Sequence, residues 1–438
     1  MLFRQFVNDD LGCASYLIGC EDAGEAVVVD PPLAIDELLE AAARHDVRIV
    51  RTIETHTHAD HVSGHGRLAL ELEVPVSIHP LAAVDYPSDP LADGDELRVG
   101  NVTLRCLHTP GHRPEHCCLA VIDHTRADEP WLVLTGDSLF VGDAARPDLA
   151  VGGVEGATAL FSSLGRLLEL PDGVEIYPGH VSGSLCGKGM SSKGSSTIGF
   201  ERRFNPMLAF SDVSAFVGES AGLSTPKPPN LARIVETNRG PFVGAQPLVR
   251  ELSHPSQGTQ LLDVRPVDAY CSGHLRGAVN VPVSGTSFST KAGFVLDAER
   301  PVCLLASTHE EVRQAAQGLR SVAFFDLAGY VLGGGPEAVA PVSLDELGTL
   351  LAAGAVVVDV REPDEREPDG IPGSLNVPYR VARAAAAELP RDRLLVTVCE
   401  TGPRAAIAAS ILRAEGLDAR PVASGGTAVI AALGRSLA

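Results

Sequence analysis

THTHADH, at 55–61, sets His56, His58, Asp60 and His61 inside six residues. The run before it, VRIVRTIET at 47–55, is β-rich, so the histidines fall just past a strand. Residues two apart in extended chain share a face, so both His56 and His58 can reach one ion. Four potential ligands in one short loop answer to coordination; folding does not require them. Three later segments extend the pattern. TPGH at 109–112 adds His112, TGD at 135–137 adds Asp137, and YPGH at 177–180 adds His180. Each follows a β-rich run, and Gly111, Gly136 and Gly179 each stand directly before the ligand. Glycine there permits the backbone angles that turn a side chain into a cleft. Strand ends of an α/β framework are where loops are held rigidly enough for chemistry. His45, His65, His79, His108, His116 and His124 fit no such pattern and read as surface or hydrogen-bonded core residues.

The chain has 438 residues, too many for one core, so two to four domains are expected. Lys and Arg number 35 and Asp and Glu 56, a net charge of −21. That excess repels polyphosphate and excludes a nucleic-acid partner. The start, MLFRQFVNDDLG, lacks a signal-peptide core, and no apolar run of about 18 residues occurs, so no membrane span is expected. Nine cysteines, at 13, 20, 106, 117, 118, 186, 271, 303 and 399, are odd in number and irregularly spaced. They suit reduced thiols in a cytoplasm. A homo-oligomer is the default expectation.

STPKPPN at 224–230 reads as a linker or an extended crossing segment. Beyond it, LLDVRPVDAYCSGHLRGAVNVP at 261–282 is repeated as VVVDVREPDEREPDGIPGSLNVP at 356–378. Both read strand, acidic turn, glycine-containing loop, then NVP, so two copies of one small domain are expected. Boundaries near 240 and 340 divide the chain into 1–240, 241–339 and 340–438. In the second copy, VTVCETGPRAAIAASIL at 396–412 reads as a buried strand, a loop from Cys399 to Arg404, and an Ala-rich helix. Loop N–H groups turned inward at a helix N-terminus make an anion cradle that lowers a thiol pKa.

THTHADH, TPGH, TGD and YPGH, in this order, resemble the metallo-β-lactamase superfamily, which implies an α/β fold, an αββα sandwich with a metal site at one edge. All seven ligands of a two-metal site are present: His56, His58 and His112, then Asp60, His61 and His180, with Asp137 able to bridge. A di-zinc thioester hydrolase of the glyoxalase II type therefore stays open, two metals activating a hydroxide. TGDSLFVGDAARPDL at 135–149 and GHVSGSLCGKGMSSKGSSTIGFERRFNP at 179–206 resemble persulfide dioxygenases instead. That resemblance implies one Fe(II) held by His56, His112 and Asp137, a facial triad with open positions for a persulfide and O₂. His58, Asp60, His61 and His180 would then orient ligands and water. Cys186 is a candidate to accept sulfur or an inert thiol, and Arg146 a candidate for substrate or for Asp148 and Asp143. Ala145 departs from the commoner Gly-Arg-Pro-Asp pattern of that family. Arg202 and Arg203 are candidates to meet an anionic thiol carrier or to be solvated.

The second repeat resembles rhodanese, a sulfurtransferase module. The resemblance implies that Cys399 is the nucleophile, with Arg404 closing its loop, and that Asp359 and Arg361 support the sheet. Glu400, next to the nucleophile, opposes thiolate formation and thiosulfate binding unless it points outward. The first repeat, VCLLASTHEEVRQAAQGL at 302–319, carries Ala306 or Ser307 at the nucleophile position and reads as a rhodanese that has lost its thiol. Cys303 is expected in its strand and Cys271 outside any catalytic motif. The whole order resembles persulfide dioxygenase–rhodanese fusions. That implies small-molecule persulfides, O₂, sulfite and thiosulfate as reactants in sulfide detoxification, with the sulfur carrier left unnamed. A non-enzymatic sulfane-sulfur carrier is a further alternative.

Overall fold

The structure is a computed structural model that describes residues 1–181, 189–220, 226–366, 371–423 and 426. The chain forms two compact units: Met1–Gln246 with Arg320–Ala323, and Pro247–Leu319 with Phe324–Ala438.

In the first unit, two six-stranded sheets face each other. One runs β1 (Leu2–Val7), β2 (Ala14–Cys20), β3 (Glu25–Val29), β4 (Arg48–Ile53), β5 (Val76–Ile78), β6 (Asp89–Pro90), in that spatial order. The other contains β7 (Glu96–Val99), β8 (Val102–His108), β9 (Cys117–Asp123), β10 (Leu132–Gly136), β13 (Glu175–Pro178) and β14 (Ser196–Thr197), ordered β14-β13-β10-β9-β8-β7; β11 (Leu139–Phe140) and β12 (Asp143–Ala144) form a small hairpin. Strand period explains the layering. Tyr16, Ile18, Val27 and Val29 turn inward to meet Leu104, Leu119, Val121 and Leu134 of the second sheet. The alternate residues Leu17, Ala26 and Val28 turn outward onto Leu38 and Ala41 of the helix Asp36–Arg44. On the opposite side, Val133 and Ile176 pack on Ala157, Leu160 and Leu164 of the helix Gly153–Leu167. The result is the αββα sandwich. Each ligand-bearing motif leaves the end of a strand: His56 follows β4, His112 β8, Asp137 β10 and His180 β13.

The second unit contains two parallel four-stranded sheets of the same order. One is β16-β15-β17-β18, from β15 (Gln260–Asp263), β16 (Val279–Asn280), β17 (Val302–Ala306) and β18 (Leu327–Leu332). The other is β20-β19-β21-β22, from β19 (Val356–Asp359), β20 (Leu375–Asn376), β21 (Leu395–Val398) and β22 (Ala419–Pro421). The repeated residues do the same work in both. Asp263 and Asp359, each fully buried, bind Arg265 and Arg361 through paired hydrogen bonds. Asn280 and Asn376 donate to the two carbonyls of that turn: Asp263 and Arg265 in one, Asp359 and Arg361 in the other. The DVR and NVP motifs are thus one network that ties the first strand to its neighbour. Among the described residues, no helix is long and apolar enough to cross a membrane.

Candidate metal centre and sulfur-transfer loop

Ligand atoms of His56, His112 and Asp137 lie within 4.8 Å of one another, and all three residues are buried. Their tautomers follow from their neighbours. Thr55 donates its hydroxyl to Asp30 (2.8 Å), so it accepts from His56 Nδ1 (2.9 Å). His112 Nδ1 donates to the Arg146 carbonyl (3.1 Å). Both imidazoles therefore keep Nε2 as a lone pair toward the site. Burial pushes His56 well below its ordinary pKa and lowers His112, which keeps both neutral. Burial opposes ionisation of Asp137, yet His180 and His112 outweigh it and hold the carboxyl far below the usual range.

Asp137 Oδ1 binds His180 Nδ1 (2.7 Å), leaving Oδ2 for the triad. Oδ2 stands 3.5 Å from His112 Nε2 and 4.0 Å from His56 Nε2. Asp137 Oδ2 and His56 Nε2 are buried with no hydrogen-bond partner. Two lone-pair nitrogens and a carboxylate oxygen turned together in the interior are costly unless a cation sits among them. The donor set fits one divalent metal.

His58 goes elsewhere. Its Nε2 lies 3.2 Å from Asp30 Oδ1 and 3.1 Å from Glu54 Oε2, all three residues buried. Against the cost of burial, those carboxylates raise His58 well above its ordinary pKa, while His58 and His65 hold Glu54 at about 2. Asp60 and His61 meet a residue the motifs did not include. Cys13 Sγ donates to Asp60 Oδ2 (3.0 Å) and sits 3.5 Å from His61 Nδ1. Against burial, Cys13 and Asp60 push His61 up to about 10. His180 joins the two groups, its Nε2 being 2.7 Å from Asp60 Oδ2.

Sequence reading missed Asp30, Glu54, Cys13 and His116. His116, read as an ordinary core histidine, is buried and hydrogen-bonded, and it lies directly behind the triad. Its Nε2 accepts the Asp137 N–H (2.9 Å), and burial lowers its pKa to about 3. One of the three glycines departs from expectation. Gly136 (φ 47°) and Gly111 (φ 150°) adopt the angles expected, but Gly179 has no positive φ. A Cβ on Gly179 would sit 2.6 Å from Asp137 Oδ1, so close approach to the ligand explains that glycine.

Arg146 forms two hydrogen bonds to Asp148 (2.6 and 2.8 Å). Arg202 binds Asp172 and the carbonyls of Leu168 and Leu170, and the Arg203 guanidinium lies 5.2 Å from the Phe204 ring centre. Cys186 lies outside the described residues.

In the second repeat, Cys399 is buried, and its Sγ accepts N–H groups from Gly402 (3.1 Å) and Ala405 (3.3 Å). Gly402 has φ 105°, which lets the chain fold its N–H back onto the sulfur. The loop is shorter than the motif suggested. Pro403 opens the helix Pro403–Ala414, so Arg404 lies in its first turn. Arg404 is bound at both edges by Glu365 (2.6 and 2.8 Å). Glu400 is exposed. In the first repeat, strand register decides between the two candidate positions. Asp263 pairs with Leu305 as Asp359 pairs with Val398, so Ala306 holds the place of Cys399. There the next N–H groups, of Ser307 (2.6 Å) and Thr308 (3.3 Å), are taken by Glu311. Thr308 Oγ1 accepts the Glu311 N–H in return (3.2 Å), completing a capping box that closes the helix. Cys271 and Cys303 are buried, and burial pushes both thiols up to about 11.

The metallo-beta-lactamase superfamily model matches residues 8–180, and the rhodanese-like domain model matches twice, at 248–339 and 343–431. A crystal structure of a metallo-beta-lactamase from Staphylococcus aureus subsp. aureus COL is 30% identical at a TM-score of 0.70, covering 76% of this chain and 98% of that one. The chain belongs to the metallo-β-lactamase superfamily, with two rhodanese-like domains following the sandwich. It is homologous to the mitochondrial persulfide dioxygenase ETHE1 of Homo sapiens, 29% identical over 245 residues, 54% of this chain and 87% of the relative. It also matches a hydroxyacylglutathione hydrolase of Nitrosococcus oceani, 34% identical over 170 residues, 38% of this chain and 61% of that protein.

Proposed function

We propose that the chain oxidises a low-molecular-weight persulfide with O₂ to sulfite and thiol at one iron, and that Cys399 exchanges sulfane sulfur with the products. Three regions carry these roles: 1–240 the oxidation, 241–339 a thiol-less rhodanese-like domain, and 340–438 the transfer. One observation supports the reading: ligand atoms of His56, His112 and Asp137 converge, while His58 Nε2 groups separately with Asp30 and Glu54. A two-metal hydrolase needs His58 with His56 and His112. Homology to ETHE1 supports the same choice.

Fe(II) held by His56, His112 and Asp137 would offer open positions for a persulfide sulfur and O₂ and would pass electrons from the sulfur to O₂. The reaction balances as RSSH + O₂ + H₂O giving RSH and sulfite with two protons. Thr55 and the Arg146 carbonyl fix the two imidazoles; His180 and His116 fix Asp137 from its side chain and its backbone. Asp60, His61 and Cys13 form a polar edge beside the triad. In the transfer domain, Gly402 and Ala405 N–H groups stabilise sulfur charge on Cys399. Its thiolate takes a sulfane sulfur, and sulfite then removes it as thiosulfate.

The match to a hydroxyacylglutathione hydrolase keeps a zinc thioester hydrolase as the competing outcome. The test measures metal content and O₂ uptake by iron-loaded protein on adding glutathione persulfide, with coenzyme A persulfide beside it. Iron near one per chain and rapid uptake, abolished in His112→Ala, are expected. Zinc near two per chain with thioester hydrolysis and no uptake would overturn the reading. A pure sulfur carrier would consume no O₂ and hydrolyse no thioester.

A further inference from the structure

Two copies of one domain within a single chain provide an internal control. Both keep the buried Asp–Arg pair and the asparagine that braces it. That network is therefore scaffold, retained with or without a thiol. The pair Glu365–Arg404 behaves differently. Glu365 stands six residues after Asp359; the residue six after Asp263 is Ala269. By the register that sets Ala306 at the place of Cys399, the residue in the place of Arg404 is Glu311, an acid in place of the cation. The copy with Ala306 for the nucleophile thus also lacks the clamp. A clamp needed to build the sheet or dock the helix would be needed in both.

Resting on the reading of Cys399 as a sulfur-transfer nucleophile, we propose that Glu365 is a positioning residue that sets acceptor preference by holding Arg404. Arg404 is a cation at the loop: it directly precedes Ala405, whose N–H reaches Cys399 Sγ at 3.3 Å. Both its outer nitrogens are committed to Glu365, and Glu365 Oε2 is braced by the Glu362 N–H (2.9 Å). The pair is about a quarter to a third exposed, so solvent does not fully screen it. A dianion such as sulfite approaching Cys399 meets a guanidinium already neutralised by a carboxylate. A thiol reacts as a monoanion, so it gains less from a free guanidinium and loses less to the clamp than a dianion does. The clamp therefore lowers the advantage of dianionic partners over thiols.

The two discharges are balanced. With sulfite, the sulfite sulfur attacks the outer sulfur of Cys399–S–S⁻, the S–S bond breaks, Cys399 leaves as thiolate and thiosulfate forms. With a thiol, which attacks as its thiolate after losing its proton to water, RS⁻ takes the same outer sulfur, the S–S bond breaks, Cys399 leaves as thiolate and RSS⁻ forms.

The experiment loads Cys399 of the full chain with sulfane sulfur from inorganic polysulfide, then follows discharge to sulfite and to 2-mercaptoethanol. In Glu365→Gln, the ratio of kcat/KM for sulfite over 2-mercaptoethanol is expected to rise about tenfold, through KM for sulfite, the effect of one added charge-assisted hydrogen bond to the dianion. On an Arg404→Ala background the same substitution should leave the ratio unmoved. An unchanged ratio in Glu365→Gln overturns the proposal, as does an equal shift for both acceptors or a rise that persists without Arg404. If the parent protein fails to load Cys399 at all, the transfer reading itself falls, an outcome separate from these.

Discussion

Replacing Asp359 with alanine should uncouple the transfer domain from the oxidation domain. Asp359 is fully buried and Arg361 nearly so. The carboxylate accepts from Arg361 N (3.2 Å), Nε (3.0 Å) and Nη2 (2.8 Å). Removing one partner of a buried pair costs about 3–5 kcal/mol, because the remaining charge keeps its desolvation penalty. Glu365 also attracts Arg361, which places the loss near the lower end, about 3 kcal/mol. A domain of ordinary stability, about 5–15 kcal/mol, survives this at 25 °C. Its melting point should nevertheless fall on the order of 10 °C or more. Calorimetry of the full chain is the assay, read transition by transition because two compact units need not melt together. Sulfur transfer and O₂ uptake are measured on the same samples. The double change Asp359→Leu with Arg361→Met removes both charges and should recover much of the lost stability. A single variant melting within about 2 °C of the parent would refute the buried-charge account, as would a double variant melting no higher than the single. A fall in O₂ uptake in step with transfer would refute the uncoupling.

Other expectations follow from the same geometry. Gly179→Ala places a methyl 2.6 Å from Asp137 Oδ1 and should displace the carboxylate; metal analysis should find occupancy cut severely, with a stability cost of about 1–3 kcal/mol. Ala306→Cys should not create a second transfer site, because Glu311 already takes the loop N–H groups; alkylation should show the new thiol reacting far more slowly than Cys399. Glu365 is held below its ordinary 4.5 by hydrogen bonds from Arg404. A lowered carboxyl stabilises the fold above that value, and the benefit is lost as pH falls through the folded pKa. The gap in unfolding midpoint between parent and Glu365→Gln should thus be widest at neutral pH and narrow as pH falls below 4.5; a gap that widens in acid would contradict the pairing.

Motif spacing made the strand-end ligands legible, since a turn after a buried strand fixes where a side chain starts. THTHADH, TPGH, TGD and YPGH each leave a strand where the pattern put them. The repeat was legible for a similar reason, because the DVR turn and NVP asparagine are local and bond each other across one strand pair. What stayed hidden was contact across the sheets. Asp30 follows β3 and Glu54 follows β4, and the parallel pairing of those strands brings both to His58. Cys13 reaches Asp60 from 47 residues away. His116 supports Asp137 through a backbone N–H, a role that carries no residue signature. The capping box in THEE was readable in principle, because Thr-x-x-Glu at a helix start is a pattern with a mechanism.

These hidden contacts carry the choice between chemistries. The same seven ligands appear in one-metal and two-metal readings, so their inventory cannot separate them. Orientation can. His58 Nε2 lies 3.2 Å from Asp30 Oδ1 and 3.1 Å from Glu54 Oε2, whereas His56 Nε2 lies 4.0 Å from Asp137 Oδ2. Thr55 hands the Asp30 interaction on to His56, so the same carboxylate that holds His58 also aims His56 at the triad. One buried aspartate just past β3 thereby lies against one histidine and, through Thr55, orients its neighbour. An Asp30→Asn variant should for this reason loosen both histidines at once, and iron binding should weaken further than loss of His58 alone would cause, which metal titration of Asp30→Asn beside His58→Gln would measure. Equal affinities in the two variants would break the link.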